Sequence, residues 1–524
     1  MKFSKLTLAV AGVLTASASF NAVAIELYVD TKTKQIYAEP GPHRQRLGKF
    51  EQVDEAKTPA PAAVESTNQE IKAIREELDL KTNEIKALEE HAKESEEVKV
   101  KIDDGIEFKS KDGNFKAAIN GRIQVDSQNN VTDRQSTSNP NDHIVSDGAS
   151  IRRARLGVEG TFYKDFDYKF EYDFTRGNGY IASGVTDAFL RWNLNKGFSI
   201  KAGSFKEPFS LEEATSNRYI TFIERNMVVN AFVDNPNTYK TGFGANYSAD
   251  RWQLGASIQT EPVGNWPANA GSTTASNGNN RGSSGGSGDS SWELNSRLSL
   301  LPWMESKTKF LHVGGSASHV HVNNNIVNNV PSANGGMGFY ATLNGNVDRA
   351  NILNTNNLSA ADGSKQIESY DRFGGEIATV YGPWSAQAEY IQTDINGTGY
   401  SNNSLSGYYG YMTYFLTGES RAYKSKTGAW DRLKPNRNFD MKGGWGAWEL
   451  AVGYDALDLS SGMVNGSRAI NGGRAATAKF GVNWYPNSHF RLMGNFIHVL
   501  DLSTPTKYDK ADLDMVEFRA QVDF

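Results

Sequence analysis

Arg122, Arg153 and Arg155 stand in stretches where apolar and polar residues alternate, and all three fall on the polar beat. In the run Phe115 to Asp126 the odd positions are apolar or Gly, while Asn120, Arg122, Gln124 and Asp126 are polar. In the next run Ala154, Leu156 and Val158 oppose Arg153, Arg155 and Glu159. If both runs are strands, period 2 puts the three guanidiniums on one face. A guanidinium is always charged and can grip a carboxylate or phosphate through two parallel hydrogen bonds, so such a face would concentrate small anions. Arg152 has the opposite parity and joins that face only if a β-bulge turns it. The competing role for each arginine is a wall ion pair with Glu159, Glu171, Asp173 or Asp187.

No other chemistry is as well supplied. The chain has no Cys, which excludes disulfides, thiolate metal sites and a cysteine nucleophile. Its eight His are scattered and match no hydrolase arrangement. His319 and His321 flank one residue and would share a strand face, a spacing able to hold a metal, but the surrounding sequence suggests rim or lumen residues instead. No cofactor or metal is implied. A formal charge of -5 with no basic block gives no nucleic-acid partner.

The elements that must position the arginines follow from the composition. The 524 residues are 38% hydrophobic and 11% aromatic, with 50 Gly and a mean hydropathy of -0.54. No apolar run approaches the length of a membrane helix, so a helical membrane bundle is excluded. A membrane β-barrel is not, because its strands alternate lipid-facing and lumen-facing residues. Period-2 segments run from about residue 105 to the end, including Tyr168, Phe170, Tyr172 and Phe174 against Lys169, Glu171 and Asp173. Short turns such as 163–165 alternate with polar excursions such as 269–291. Aromatics gather near strand ends at Tyr408, Tyr409, Tyr411, Tyr414, Phe415, Trp445, Trp448, Trp484 and Tyr485, as interfacial girdles would. The last strand ends on Phe524. The predicted fold is all-β: residues 105–524 form a transmembrane antiparallel β-barrel of about sixteen strands, whose bore is too wide for side chains to fill and holds water.

Ahead of the barrel, residues 1–24 have the three-part order of a cleaved signal peptide: Lys2 and Lys5, an apolar stretch, then Ala22-Val23-Ala24. Losing those two lysines takes the charge from -5 to -7. Residues 25–65 are a polar segment with room for one small hairpin, closing in a Pro/Ala linker. Residues 66–100 form a coiled coil in which Ile71, Ile74, Leu78, Ile85, Leu88 and Ala92 occupy a and d positions, broken only by Lys81. Ile at both a and d of the first heptad favours three strands, so a homotrimer is expected.

Seven segments together resemble the phosphate-selective porin O and P family: Gly121 to Gln124, Ile151 to Ala154, Lys169 to Phe174, Glu213 to Ser216 with Ile223 to Asn226, Tyr414 to Lys424, Gly446 to Leu450, and Gly481 to Tyr485. The resemblance covers about residues 105 to 524. It implies a sixteen-stranded outer-membrane barrel of a Gram-negative bacterium, usually trimeric, that passes small anions by diffusion, with the coiled coil in the periplasm as in members linked to dicarboxylates. It also implies positions. Arg122, Arg152, Arg153 and Arg225 match family basic residues, Arg155 and Lys206 replace family Tyr, and Glu213 replaces a family Lys with Arg218 nearby. The Arg-rich ladder expected on the inserted loop after His312 is missing from Asn323 to Asn344. The resulting expectation is an anion-preferring porin, for phosphate or dicarboxylate-like solutes, with Arg122, Arg153 and Arg155 as a basic wall, Lys206 and Arg218 as loop contributors and Glu213 as acidic counterweight. The alternatives are a general non-selective porin, a barrel-based surface enzyme and a trimeric adhesin.

Overall fold

The computed structural model describes residues 25–32, 34–50, 61–95, 98–102, 105–134, 145–175, 184–234, 238–260, 263, 291–322, 326–327, 330–331, 337–345, 347–360, 364–464, 467–506 and 508–524. The expected leader and nearly all of the excursion 269–291 lie outside them. The chain divides into two units, Met1–Ser95 and Glu96–Phe524.

In the first unit, Ile25–Asp30 pairs with Ile36–Tyr37 on one edge and Arg44–Phe50 on the other. A single hairpin was expected there; the third strand forms because a central strand has two edges to satisfy. Pro61–Ser95 is one helix. It starts inside the expected linker, at a Pro whose fixed φ and missing N–H suit a first helical position. Ile71, Ile74, Leu78, Ile85 and Leu88 are all exposed on it.

The second unit is a closed antiparallel barrel of sixteen strands. We number them β1 (Phe115–Arg134), β2 (Gly148–Phe162), β3 (Phe166–Asp173), β4 (Val185–Asn193), β5 (Phe198–Lys206), β6 (Tyr239–Ser248), β7 (Trp252–Gln259), β8 (Trp292–Ser306), β9 (Lys309–His321), β10 (Gln366–Tyr381), β11 (Trp384–Thr398), β12 (Tyr400–Phe415), β13 (Ala447–Val464), β14 (Ser467–Tyr485), β15 (Phe490–Ser503) and β16 (Asp512–Asp523). Each pairs with its chain neighbour, and β16 closes on β1 from Asp512↔Arg134 to Asp523↔Arg122. The seam continues as Gly121 and Phe524 exchange backbone hydrogen bonds of 3.0 and 3.1 Å. Gly is needed there, since a Cβ on residue 121 would lie 2.7 Å from the Phe524 ring. A hairpin of Val98–Ile102 and Ile106–Ser110 then pairs with the start of β1 at Ile106↔Ile119.

Side-chain alternation is the reverse of a soluble sandwich. Leu190, Phe243, Ile258, Ile377, Met412, Val452, Phe480 and Phe518 are exposed on the outside, whereas Gln124, Arg155, Glu293, Arg372, Glu389, Asp455 and Arg519 are buried within. Closure leaves no unpaired edge in hydrocarbon. No helix among the described residues is long and apolar enough to cross a membrane. Outward aromatics stack at one end, as in Trp384–Tyr414 at 4.4 Å and Trp448–Trp484 at 5.4 Å. The expected girdle is only partly that, because Tyr409, Tyr411 and Phe415 have the other parity and are buried inside.

The loop pattern departs from expectation at two places. The short-turn end has links such as 163–165 and 382–383, but also the long connection 416–446. The opposite end includes a one-residue link at Gly399, whose φ of 76° permits the tight reversal. The bore is not simply full of water either. A buried apolar cluster inside it joins Phe209, Phe222, Met227, Val228 and Phe232 of connection 207–238 to Phe339, Leu343 and Leu353 of connection 322–365. Wall side chains cannot fill so wide a bore, so these connections carry their own apolar residues inward.

Ile377 lies outside, well above the Tyr381–Trp384 pair that marks the interface. We expect Ile377→Arg to lower unfolding stability in lipid vesicles by about 2–4 kcal/mol, the effect of a cation on a lipid-facing position near the bilayer midplane. A loss within the error of urea titration would place this face outside hydrocarbon.

Candidate functional site

Connection 207–238 crosses the bore between β5 and β6, and polar groups from much of the wall hold it. Its first helix, Leu211–Ala214, points its N-terminus at Glu389 of β11, whose carboxylate accepts from the Leu211 and Glu212 amides at 3.0 and 2.7 Å. Asp455 of β13 accepts from the Met227 amide at 2.6 Å. Arg491 of β15 donates to the Ile220 carbonyl at 2.7 Å, and Arg519 of β16 to the Ile223 carbonyl at 2.6 Å. Backbone groups in a segment this short of regular structure need such partners once buried.

The arginines of β1 and β2 complete the hold. Arg122 and Arg155 are direct cross-strand partners, a repulsive pairing relieved by Glu171 of β3. Glu171 accepts from Arg122 and, at 2.9 Å, from Arg155. Arg155 also bonds Asp173 at 2.7 Å and the Tyr239 hydroxyl at 3.1 Å, and Arg122 reaches Asn217 on the inward segment. The pairing of β1 with β2 skips one residue, Gln124 facing Arg153 and Val125 facing Ile151, so Arg152 sits in a bulge. Turned in this way, it makes bonds of 2.8 and 3.2 Å to Glu224. Arg153 donates to Gln124 at 2.9 Å and lies 3.6 Å from the same Glu224.

Lys206 and Arg225 share Glu213, at 2.5 and 2.8 Å. Lys206 is the last residue of β5, not a loop residue as expected; Arg218 does lie on the inward segment, bonded to Asn120 at 3.2 Å and 4.0 Å from Glu171. Arg122, Arg153 and Arg155 therefore point into the bore, but they do not face open water as parity alone suggested: they are 5%, 1% and 4% exposed because the inward segment lies over them. Around each acidic centre the cations outnumber the carboxylates. Arg152, Arg153 and Arg519 meet Glu224 and Asp126; Arg122, Arg155, Arg218 and Arg432 meet Glu171, Asp173 and Asp523; Lys206 and Arg225 meet Glu213. The Nε atoms of Arg122, Arg153 and Arg218 are buried donors without a hydrogen-bond partner.

Several members were not picked out from sequence. Arg519, like Arg372 and Arg297, has the inward parity of its strand and was open to the same period-2 argument that found Arg153. Arg349, exposed on connection 322–365, lies five residues beyond Asn344, the end of the stretch that lacks basic residues, and irregular backbone offers no periodicity to locate it. His319 and His321 face outward at the rim, their rings 5.5 and 5.7 Å from Trp292. Asp371 lies 2.8 Å from His319, a carboxylate the sequence could not place there; among the described residues no group of three or more possible metal ligands forms.

A closed barrel with an apolar outside and a charged, loop-constricted inside is a membrane channel, and its class is the outer-membrane porin. Residues 118–524 match the family model for Phosphate-selective porin O and P, and the chain belongs to that family. Porin O of Pseudomonas aeruginosa is 29% identical over 415 residues, which are 76% of this chain and 86% of that protein. An uncharacterized protein of Caulobacter vibrioides is 26% identical over 416 residues, covering 78% and 73%. Among solved structures the outer membrane channel DcaP of Acinetobacter baumannii is similar to it, at 14% identity and a TM-score of 0.42 over 80% of this chain and 99% of that one. The protein is thus an outer-membrane porin, a channel for passive diffusion of small solutes.

Arg519 ties the closing strand to the inward segment, with bonds of 2.7 Å to each Asp126 oxygen, 3.1 Å to Glu224 and 2.6 Å to the Ile223 carbonyl. Arg519→Ala should cost about 3–5 kcal/mol, because it removes one partner of the buried Arg519–Asp126 ion pair. In planar bilayers the expected outcome is a larger and noisier single-channel conductance as segment 207–238 loosens; an unchanged, quiet channel would deny Arg519 this pinning role.

Proposed function

We propose that this porin prefers small anions, of the phosphate or dicarboxylate kind, and that the belt of Arg122, Arg152, Arg153, Arg155, Lys206, Arg218 and Arg225, tempered by Glu213, sets the preference. The observation that carries this reading is the surplus of cations over carboxylates around Glu224, Glu171 and Glu213. Fixed positive charge in a narrow passage with low-dielectric walls raises the local anion concentration. Arg is suited to this because its charge persists when it is partly desolvated. The family description, phosphate-selective, agrees with such a solute class.

We further propose that the protein is a homotrimer whose helix Pro61–Ser95 is a periplasmic coiled coil. What supports it is the exposed row Ile71, Ile74, Leu78, Ile85 and Leu88, which a helix leaves in water only at a cost unless other copies cover it.

Reversal potential under a KCl gradient tests the selectivity. The wild type should favour chloride. Glu224→Gln should strengthen that preference by removing the negative charge among three arginines, and Arg152→Gln should weaken it. A cation-selective wild type would overturn the proposal and leave the fold intact. The oligomer has its own test, since the chain lacks Cys. On oxidation Ile74→Cys should give cross-linked dimers on a non-reducing gel while Glu76→Cys, on the polar side, stays monomeric; equal cross-linking of both would remove the coiled coil.

A further inference from the structure

The connection 416–446 leaves β12 at the short-turn end and folds back into the bore, where it buries Arg421 and Trp430. Nine arginines among the described residues are buried: Arg122, Arg153, Arg155, Arg225, Arg297, Arg372, Arg421, Arg491 and Arg519. Eight of them have a carboxylate within 4.0 Å. Among the described residues Arg421 has no such ion pair, although it is only 6% exposed.

What Arg421 has instead is weak. Its guanidinium carbon lies 3.8 Å over the Trp430 ring and 5.4 Å from the Tyr411 ring. Nη1 makes one long hydrogen bond, 3.4 Å, to Gln387 Oε1. That oxygen is already occupied by the Tyr411 hydroxyl at 2.7 Å and Trp430 Nε1 at 2.5 Å. Nη2 is buried and has no hydrogen-bond partner. A cation–π contact returns much less than desolvating a guanidinium costs. Elsewhere in this bore the sequence supplies a carboxylate to every buried arginine, so here the missing partner is one that comes and goes.

We propose that Arg421 is a binding station for a permeating oxyanion, carboxylate or phosphate, taken on Nη2, with Trp430 and Gln387 holding the guanidinium plane. The station is separate from the belt on β1 and β2, since its residues come from β11, β12 and connection 416–446. Two stations in series would let an anion enter favourably and still leave, as multi-site pores require. The inference rests on the anion-preferring reading above.

The test measures block of chloride current in planar bilayers by sodium succinate and by inorganic phosphate, titrated separately, for the wild type, Arg421→Gln and Gln387→Glu. The second variant leaves Arg421 in place but gives it a built-in carboxylate at Nη1, where Gln387 Oε1 already accepts, and so neutralises the guanidinium. Both variants should need about tenfold more of at least one oxyanion for half-block, the loss of one charge-assisted hydrogen bond. Both should still favour chloride over potassium, though less strongly than the wild type, because each lowers the bore charge by one while the belt is untouched. Heat-dependent migration on a gel confirms that each still folds. Half-block within roughly twofold of the wild type for both oxyanions, in either folded variant, would overturn the station. A wild type without chloride preference would instead overturn the underlying reading, so the two failures are distinguishable.

Discussion

A bore closed by sixteen strands is wider than its own wall side chains can fill, and the interior of this protein is arranged around that constraint. Left alone, the wall would enclose a broad water column with little power to discriminate. Two connections, 207–238 and 322–365, fold inward and pack an apolar cluster inside the barrel. A third, 416–446, enters from the other end. Narrowing comes from chain that is not part of the wall.

Folding irregular chain into a barrel creates a polar problem, because its amides and carbonyls lose water without gaining a sheet ladder. The wall answers with charge. Glu389 and Asp455 receive the amides of Leu211, Glu212 and Met227, while Arg491 and Arg519 donate to the carbonyls of Ile220 and Ile223. The same arginines and carboxylates that pin the segment make the electrostatic field a solute would meet. In the proposed reading, structural and selective roles are therefore not alternatives. A wall ion pair becomes part of a passage once the connection it holds narrows that passage.

The period-2 pattern made the barrel and its inward faces legible, and also predicted that Arg152 needed a bulge to turn inward, which the register between β1 and β2 contains. It reached Arg122, Arg153 and Arg155, and a wider use of it would have reached Arg519 and Arg372. Arg349 and Arg421 stayed out of reach because connections carry no alternation. Depth of burial was also out of reach. Parity tells whether a side chain looks into the bore, but not whether another segment lies on top of it. The family-like segments Glu213 to Ser216, Ile223 to Asn226 and Tyr414 to Lys424 contribute to these inward connections; their likeness marked them without saying why.

The sequence by itself determined an alternating, edge-free sheet: the order of apolar and polar residues is local, and a membrane accepts that order only as a closed barrel. The heptad spacing ahead of it likewise determined a helix. Only the tertiary structure decided where the inward connections lie, which carboxylate each guanidinium meets, and that Arg421 meets none among the described residues. Those contacts join residues up to 393 positions apart, as between Asp126 and Arg519. They follow from barrel closure and loop packing, and no spacing along the chain encodes them.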